Sequence, residues 1–332
     1  MTRDRFSYLA PWWLPGGNAQ TIWAARAARR HFGPAPRWQR SRWDTPDGDF
    51  IDVDEALHAS APQAPLLVLF HGLEGSSASQ YAVAFADFAA AHGLAYAVPH
   101  FRGCSGEINH APRAYHSGDF SEIDWILRRF AHENPSRPLL AVGVSLGGNA
   151  LMRWAGEMEQ SATQLVCAIA AVSSPLDLAA GGYAIGRGFN RVVYTRMFMG
   201  TMVPKALQKL EQHPGLFKRE ALLAARDLYE FDNLFTAPLH GFRDTVDYWT
   251  RASAKPVLHR IRVPALALNA RNDPFVPAAS LPTLQDAGPS VTLWQPAHGG
   301  HVGFPVSHGP FGLPGHVRAM PEAVGNWLLA QL

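Results

Sequence analysis

The stretch Leu139-Leu140-Ala141-Val142-Gly143-Val144-Ser145-Leu146-Gly147-Gly148-Asn149 decides how this chain is read. An apolar run ends in Gly-Val-Ser-Leu-Gly. A helical pattern follows at once, with Leu151, Trp154, Ala155 and Met158 at i, i+3, i+4 and i+7. Strand, tight turn and helix give a G-x-S-x-G pattern a meaning that the bare pattern lacks. Gly143 and Gly147 stand two residues on either side of Ser145, where side chains would collide as strand and helix close on each other. The turn lifts the Ser145 hydroxyl above the sheet, and the helix behind it aims unpaired N–H groups at the same spot. Without this setting, the stretch would be a glycine-rich turn with an incidental serine.

On either side, apolar strands alternate with helical stretches. Leu66-Leu67-Val68-Leu69-Phe70 is unbroken, as a strand buried on both faces should be. Tyr81, Ala84, Phe85, Phe88 and Ala89 mark a helix ending near Gly93. Residues 95–98 read as a strand, and Phe120, Ile123, Leu127 and Phe130 as a helix stopped before Pro135. Residues 166–172, 265–268 and 291–294 are further strands, and Val324, Trp327, Leu328 and Leu332, after Pro321, form a C-terminal helix. Upstream, residues 43–57 predict an antiparallel strand pair turning at Pro46-Asp47-Gly48. The whole argues an α/β fold with a mostly parallel, doubly wound sheet.

Residues 177–256 interrupt the alternation. They are rich in Met and aromatic residues: Tyr183, Phe189, Tyr194, Met197, Phe198, Met199, Met202, Phe231, Phe235, Phe242, Tyr248 and Trp249. Long insertions in compact domains are usually functional. The expectation is a mostly helical cap over the carboxyl ends of the strands. Most of these side chains would form the cap's own core, and a few would line an apolar substrate pocket. The chain then divides into an N-terminal arm with the first part of the core (1–176), the cap (177–256) and the remainder of the core (257–332). The arm carries Pro11-Trp12-Trp13-Leu14-Pro15-Gly16-Gly17-Asn18-Ala19-Gln20-Thr21-Ile22-Trp23, which is too apolar for a free tail and should pack across the main domain.

Composition excludes several classes. At 332 residues and 47% apolar content, the chain can bury a large core. A net charge of +2 offers no argument for nucleic acid or an acidic partner. Arg26, Arg29, Arg30, Arg37, Arg40 and Arg42 make the arm locally basic, which reads as solvated surface and leaves room for peripheral association with an anionic one. Two cysteines make no disulfide framework, so a reducing, cytoplasmic location is expected. Cys167 reads as core and Cys104, just after a strand, as structural. The N-terminus is polar, without an apolar signal segment, and the longest apolar run, residues 165–172, is far short of a membrane span.

A serine hydroxyl is a poor nucleophile until a base takes its proton, and the base must be steadied by a carboxylate. On this plan the acid follows in the chain and the histidine comes last, both in loops after late strands. Asp273 stands after strand 265–268, in Asn269-Ala270-Arg271-Asn272-Asp273-Pro274. His301 stands after strand 291–294, in His298-Gly299-Gly300-His301-Val302-Gly303-Phe304. An Asp before Pro is otherwise a turn residue, and a histidine among glycines a surface one; position and order lift both to candidates. His298 competes as base, but His301 is preferred, because glycines precede it and apolar residues follow. A metal site of His298, His301 and Asp273 lacks a further strong ligand. For the oxyanion, two N–H donors are needed. Leu146, next after the nucleophile, supplies one. Leu73, in His71-Gly72-Leu73-Glu74-Gly75, is the candidate for the other, with His71 holding the loop structurally.

These motifs, with Arg102-Gly103-Cys104-Ser105-Gly106, Tyr115-His116-Ser117-Gly118-Asp119, Phe231-Asp232-Asn233-Leu234-Phe235 and Gly16-Gly17-Asn18-Ala19-Gln20-Thr21, resemble the YheT-like branch of the α/β-hydrolase superfamily (AB hydrolase family 4) over nearly the whole chain. The resemblance implies an α/β-hydrolase fold, a Ser145–Asp273–His301 triad, carboxylic ester hydrolysis and no cofactor. It also implies relatives that cleave lipids or make esters from acyl thioesters and alcohols. The expected function is a serine carboxylic ester hydrolase for short- to medium-chain acyl esters, with a small-molecule substrate. The alternatives are acyl transfer to an alcohol on the same triad, and a non-catalytic binding protein on a hydrolase fold.

Overall fold

The alternating residues before the first buried strand form a hairpin. In this computed structural model, which describes residues 6–307 and 315–332, β1 (Trp38–Asp44) pairs antiparallel with β2 (Phe50–Ala56) around a turn with Gly48 at φ 76°. The remaining strands are β3 (Leu66–Phe70), β4 (Ala95–Pro99), β5 (Leu139–Val144), β6 (Ala168–Val172), β7 (Ala265–Leu268) and β8 (Val291–Trp294). They form one eight-stranded sheet in the order β1-β2-β4-β3-β5-β6-β7-β8. β2 meets β4 antiparallel, and every pairing from β4 through β8 is parallel. This is the doubly wound α/β sheet expected from the alternation.

Successive side chains of a strand point to opposite faces, so an apolar run such as β3 builds two cores. Leu66, Val68 and Phe70 join Ile123, Leu127, Phe130, Leu151 and Trp154, from the helices Phe120–Glu133 and Leu146–Met158. Leu67 and Leu69 join Phe85, Phe88, Val324 and Leu328, from the helices Gln80–Ala91 and Ala319–Leu329 on the other face. Three details differ from expectation. β6 starts at Ala168 rather than at residue 166, because a short 3₁₀ turn holds the preceding segment and the Val166 N–H donates to the Ala162 carbonyl. Cys167 is partly buried against the sheet rather than inside the core. The C-terminal helix starts two residues before Pro321, which sits in the first turn, where no N–H is needed. The arm also contains a helix, Gly16–Arg26, that periodicity did not reveal.

Between β6 and β7 the chain is helical. The main elements are Leu178–Ile185, Arg196–Gln212 and Thr245–Ala252, with π turns at Arg191–Thr195 and Asp232–Thr236. No helix among the described residues is long and apolar enough to cross a membrane. Both ends of this insertion are pinned beside the Ser145 helix. Leu178 N–H donates to Ser253 Oγ, and Lys255 N–H to the Leu176 carbonyl. The central anchor is Asn149, which is fully buried. Its Nδ2 donates to the Ser117 and Ala252 carbonyls (2.8 and 2.9 Å), and its Oδ1 accepts from Ala254 N–H (2.9 Å). An Asn149→Leu substitution preserves size but strands these backbone groups without partners. A loss of about 3–5 kcal/mol is expected from denaturant unfolding, several times the cost of an exposed substitution.

Candidate active site

The elbow depends on the absence of side chains. Ser145 has φ 53°, in the left-handed region that non-glycine residues rarely occupy, and its N–H donates to the Val172 carbonyl. A Cβ on Gly147 would lie 2.4 Å from the Phe70 and His71 carbonyl oxygens, and one on Gly143 would lie 2.5 Å from the Gly148 Cα. Strand β5, the loop after β3 and the following helix therefore meet backbone to backbone. The helix Leu146–Met158 starts immediately after the serine. Among the described residues, the Leu146 and Leu73 N–H groups have no hydrogen-bond partner.

Asp273 and His301 come to the serine from the loops after β7 and β8. His301 Nε2 is 3.0 Å from Ser145 Oγ, and Nδ1 is 2.9 and 3.1 Å from the two Asp273 carboxylate oxygens. Since Nδ1–H donates to the carboxylate, Nε2 is left to accept from the serine hydroxyl. Asp273 Oδ1 also accepts from the Phe275 and Val276 N–H groups, which orients it, and the Phe275 ring lies against the imidazole at 4.1 Å. His298, the competing histidine, is exposed and contacts Asn272 at 3.4 Å, while His301 holds the serine.

Residues outside the Ser145, Asp273 and His301 loops hold the histidine loop. Thr21 Oγ1 accepts from His301 N–H (2.8 Å), Gln20 Oε1 accepts from Gly299 N–H (2.9 Å), and Ser173 Oγ accepts from Val302 N–H (3.0 Å). Periodicity missed Gln20 and Thr21; the signal that could have marked them was their place in Gly16-Gly17-Asn18-Ala19-Gln20-Thr21. In the loop after β3, His71 Nε2 accepts from Phe101 N–H, so Nδ1 carries the proton and donates to the Gly72 carbonyl (2.8 Å). Complete burial lowers the His71 pKa to about 3, so the ring is a neutral structural brace.

A cavity of about 140 Å³ opens on Ser145, His301, Leu73 and Leu146. Of the aromatic and Met residues noted in the insertion, Phe198, Met202, Phe231, Phe235, Tyr248 and Trp249 line it. Others do different work: Phe189 and Met197 are exposed, and Tyr194 packs on Phe275 while its hydroxyl donates to Asn18. The polar groups in the wall are tuned by burial. His116 is pushed down to about 3 and Lys209 down to about 8 by desolvation. Cys104 is partly buried close to this wall, 4.0 Å from Glu74.

The sequence profile of the α/β hydrolase fold matches residues 65–307. YheT of Escherichia coli (strain K12) is 41% identical over 283 residues, which is 84% of this chain and 82% of that protein. Phospholipase ABHD3 of Mus musculus is 29% identical over 82% of this chain and 67% of its own. Among solved structures, the Pyrococcus furiosus esterase Pf2001 superposes with a TM-score of 0.51 at 14% identity, covering 92% of this chain and 96% of that one; this is a likeness of fold. Sheet, elbow and profile define a hydrolase of the α/β-hydrolase fold. Within that family the chain belongs to the YheT-like branch, and by that membership it is an ester-cleaving hydrolase.

Asp232, in the second π turn, is the titratable carboxyl in the apolar part of the cavity wall. It accepts from Thr236 Oγ1 (2.6 Å) and Trp249 Nε1 (2.8 Å), and burial raises its pKa to about 6. The folded protein thus holds a proton that the unfolded chain releases. Asp232's contribution to stability is present below the ordinary carboxyl pKa of about 4 and is lost as pH rises through about 6. Asp232→Asn keeps the shape and both partners without the charge. The variant should gain on wild type as pH rises from 5 to 8, reaching about 2 kcal/mol in denaturant unfolding.

Proposed function

We propose that the protein is a serine carboxylic ester hydrolase acting on short- to medium-chain acyl esters through an acyl-enzyme on Ser145. The observation that carries this reading is the continuous run of hydrogen bonds Ser145–His301–Asp273, 3.0 and 2.9 Å long, on a cavity also lined by Leu73 and Leu146, whose N–H groups have no partner among the described residues. Ser145 Oγ attacks the acyl carbon while its proton passes to His301 Nε2. The carbonyl oxygen becomes an oxyanion held by the Leu146 and Leu73 N–H groups. Collapse expels the alkoxide, which takes the proton from His301 and leaves as the alcohol. Water then attacks the acyl-enzyme, giving its proton to His301, and the second collapse releases the acid and returns that proton to Ser145. Asp273 keeps Nδ1 protonated and stabilises the imidazolium. None of these steps calls for a cofactor.

Residues 177–256 act as a cap in this reading, and their apolar wall receives the acyl chain. A dry apolar cavity of about 150 Å³ holds a benzene-sized guest, so 140 Å³ supports acyl chains of about four to eight carbons. The two free cysteines support a reducing, cytoplasmic location.

A fluorophosphonate should add once, on Ser145, by intact mass and peptide mapping. Ser145→Ala should abolish labelling and lower kcat by at least about 10⁴-fold with the melting temperature held. Full activity in that variant would end the assignment. A p-nitrophenyl ester series should peak between about four and eight carbons and fall beyond, as the chain outgrows the cavity. Butyl ester formed in preference to acid when butanol is present would move the reading to acyl transfer.

A further inference from the structure

The Leu73 N–H, read above as an oxyanion donor, belongs to a loop that is held partly by its own bonds and partly from outside. Glu74 is forced to φ 57°, in the left-handed region, and it is not a glycine. Two tyrosines from outside the loop clamp it. Tyr81 Oη accepts from Gly72 N–H (2.9 Å). Tyr115 Oη accepts from Glu74 N–H (2.9 Å) and donates back to Glu74 Oε1 (2.9 Å). The peptide that carries the Leu73 N–H therefore lies between two tyrosine-clamped peptides.

The second clamp depends on a charge. With its proton on the Glu74 carboxylate, Tyr115 Oη has a fixed orientation in which a lone pair faces Glu74 N–H. That carboxylate is largely buried, with its side chain 9% exposed, and an unpaired charge there would be costly. Its counterion is Lys205 Nζ, 2.8 Å from Oε2, on the insertion helix Arg196–Gln212. Cys104 Sγ lies between them, 4.0 Å from Glu74 Oε1 and 3.9 Å from Lys205 Nζ; burial raises its thiol pKa to about 12, so it brings no negative charge. Among the described residues, Lys205–Glu74 is the one polar contact between the insertion and the loop of residues 71–77.

We propose that Lys205 is a positioning residue for the oxyanion site: from the insertion it fixes the Glu74 carboxylate, which through Tyr115 sets the backbone that presents the Leu73 N–H. The insertion is then more than a wall, because seating it completes the catalytic machinery. The inference rests on the ester-hydrolase reading and on Leu73 as a donor.

The test compares a matched p-nitrophenyl oxoester and thionoester on the full-length protein. A thiocarbonyl is larger, and its anion accepts weaker hydrogen bonds, so the thionoester gains less from the oxyanion donors. Wild type should prefer the oxoester by at least about 10²-fold. Lys205→Met should lower kcat for the oxoester by about 10- to 100-fold, leave KM within about threefold, and barely change the thionoester rate. Lys205→Arg should recover at least about half of the lost rate, since it keeps the charge. Tyr115→Phe should repeat the Lys205→Met pattern, and it serves in place of that variant if the latter does not fold. The proposal is overturned if Lys205→Met leaves the oxoester kcat unchanged, or lowers both esters equally with the melting temperature held. An absence of oxoester preference in wild type would instead end the Leu73 reading, and the proposal with it.

Discussion

The structure depends on how closely the helix Leu146–Met158 approaches the end of β3. A Cβ at Gly147 would stand 2.4 Å from two carbonyl oxygens of residues 70 and 71, so no other residue allows the approach without moving backbone. That contact sets the first turn of the helix against the loop after β3. It brings Leu146 and Leu73 to the wall of one cavity, although they are 73 residues apart in sequence. Gly143 and Gly148 extend the constraint: a Cβ on Gly148 would lie 1.9 Å from Ser174 Oγ, which ties the elbow to the end of β6. The strained φ of Ser145 is the conformation that this packing leaves to it.

Strain recurs in the histidine loop, and there it is opposed by hydrogen bonds rather than by packing alone. Gly300, Val302 and Phe304 all have φ between 42° and 62°. Val302 is branched at Cβ, for which this region is especially costly. Thr21, Gln20 and Ser173 hold the loop's N–H groups, and Phe304 is fully buried. A Cβ on Gly17 would lie 1.8 Å from the Asn272 carbonyl oxygen, so the arm helix is seated directly on the loop that carries Asp273. The arm therefore belongs to the architecture of the site.

What could be read beforehand divides along the same line. Strands buried on both faces betray themselves in unbroken apolar runs such as residues 66–70 and 139–142, and a serine between glycines at a strand–helix junction has a steric reason to be there. Asp273 and His301 were legible because their chain order and their place after late strands are properties of topology. Thr21, Gln20, Tyr81 and Tyr115 were not. Each acts through one hydroxyl or amide on a backbone group of another segment, and such a bond leaves no periodicity. The short helix of the arm was hidden for a related reason: its buried residues include Gln20 and Thr21, which a hydropathy pattern counts as surface. The aromatic residues of the insertion were visible as a group, but which of them face Ser145 depends on two π turns that shift the helical register.

The insertion is attached to the core by buried polar contacts at its base and again farther out. At its base, Asn149 and the Leu176 carbonyl join it to the core through hydrogen bonds to Ala252, Ala254 and Lys255. Farther out, it meets the core through Lys209, which is fully buried and donates to the Asn109 and Ala111 carbonyls, His240, which contacts the Ala114 carbonyl, and Lys205, one-third exposed, which pairs with Glu74. Freeing Lys209 would leave two carbonyls without their donor, and breaking the Lys205–Glu74 pair would leave a largely buried carboxylate without its counterion, so neither contact is given up at modest cost. The loop after β3 is thus held to the insertion by a charge pair as well as by packing.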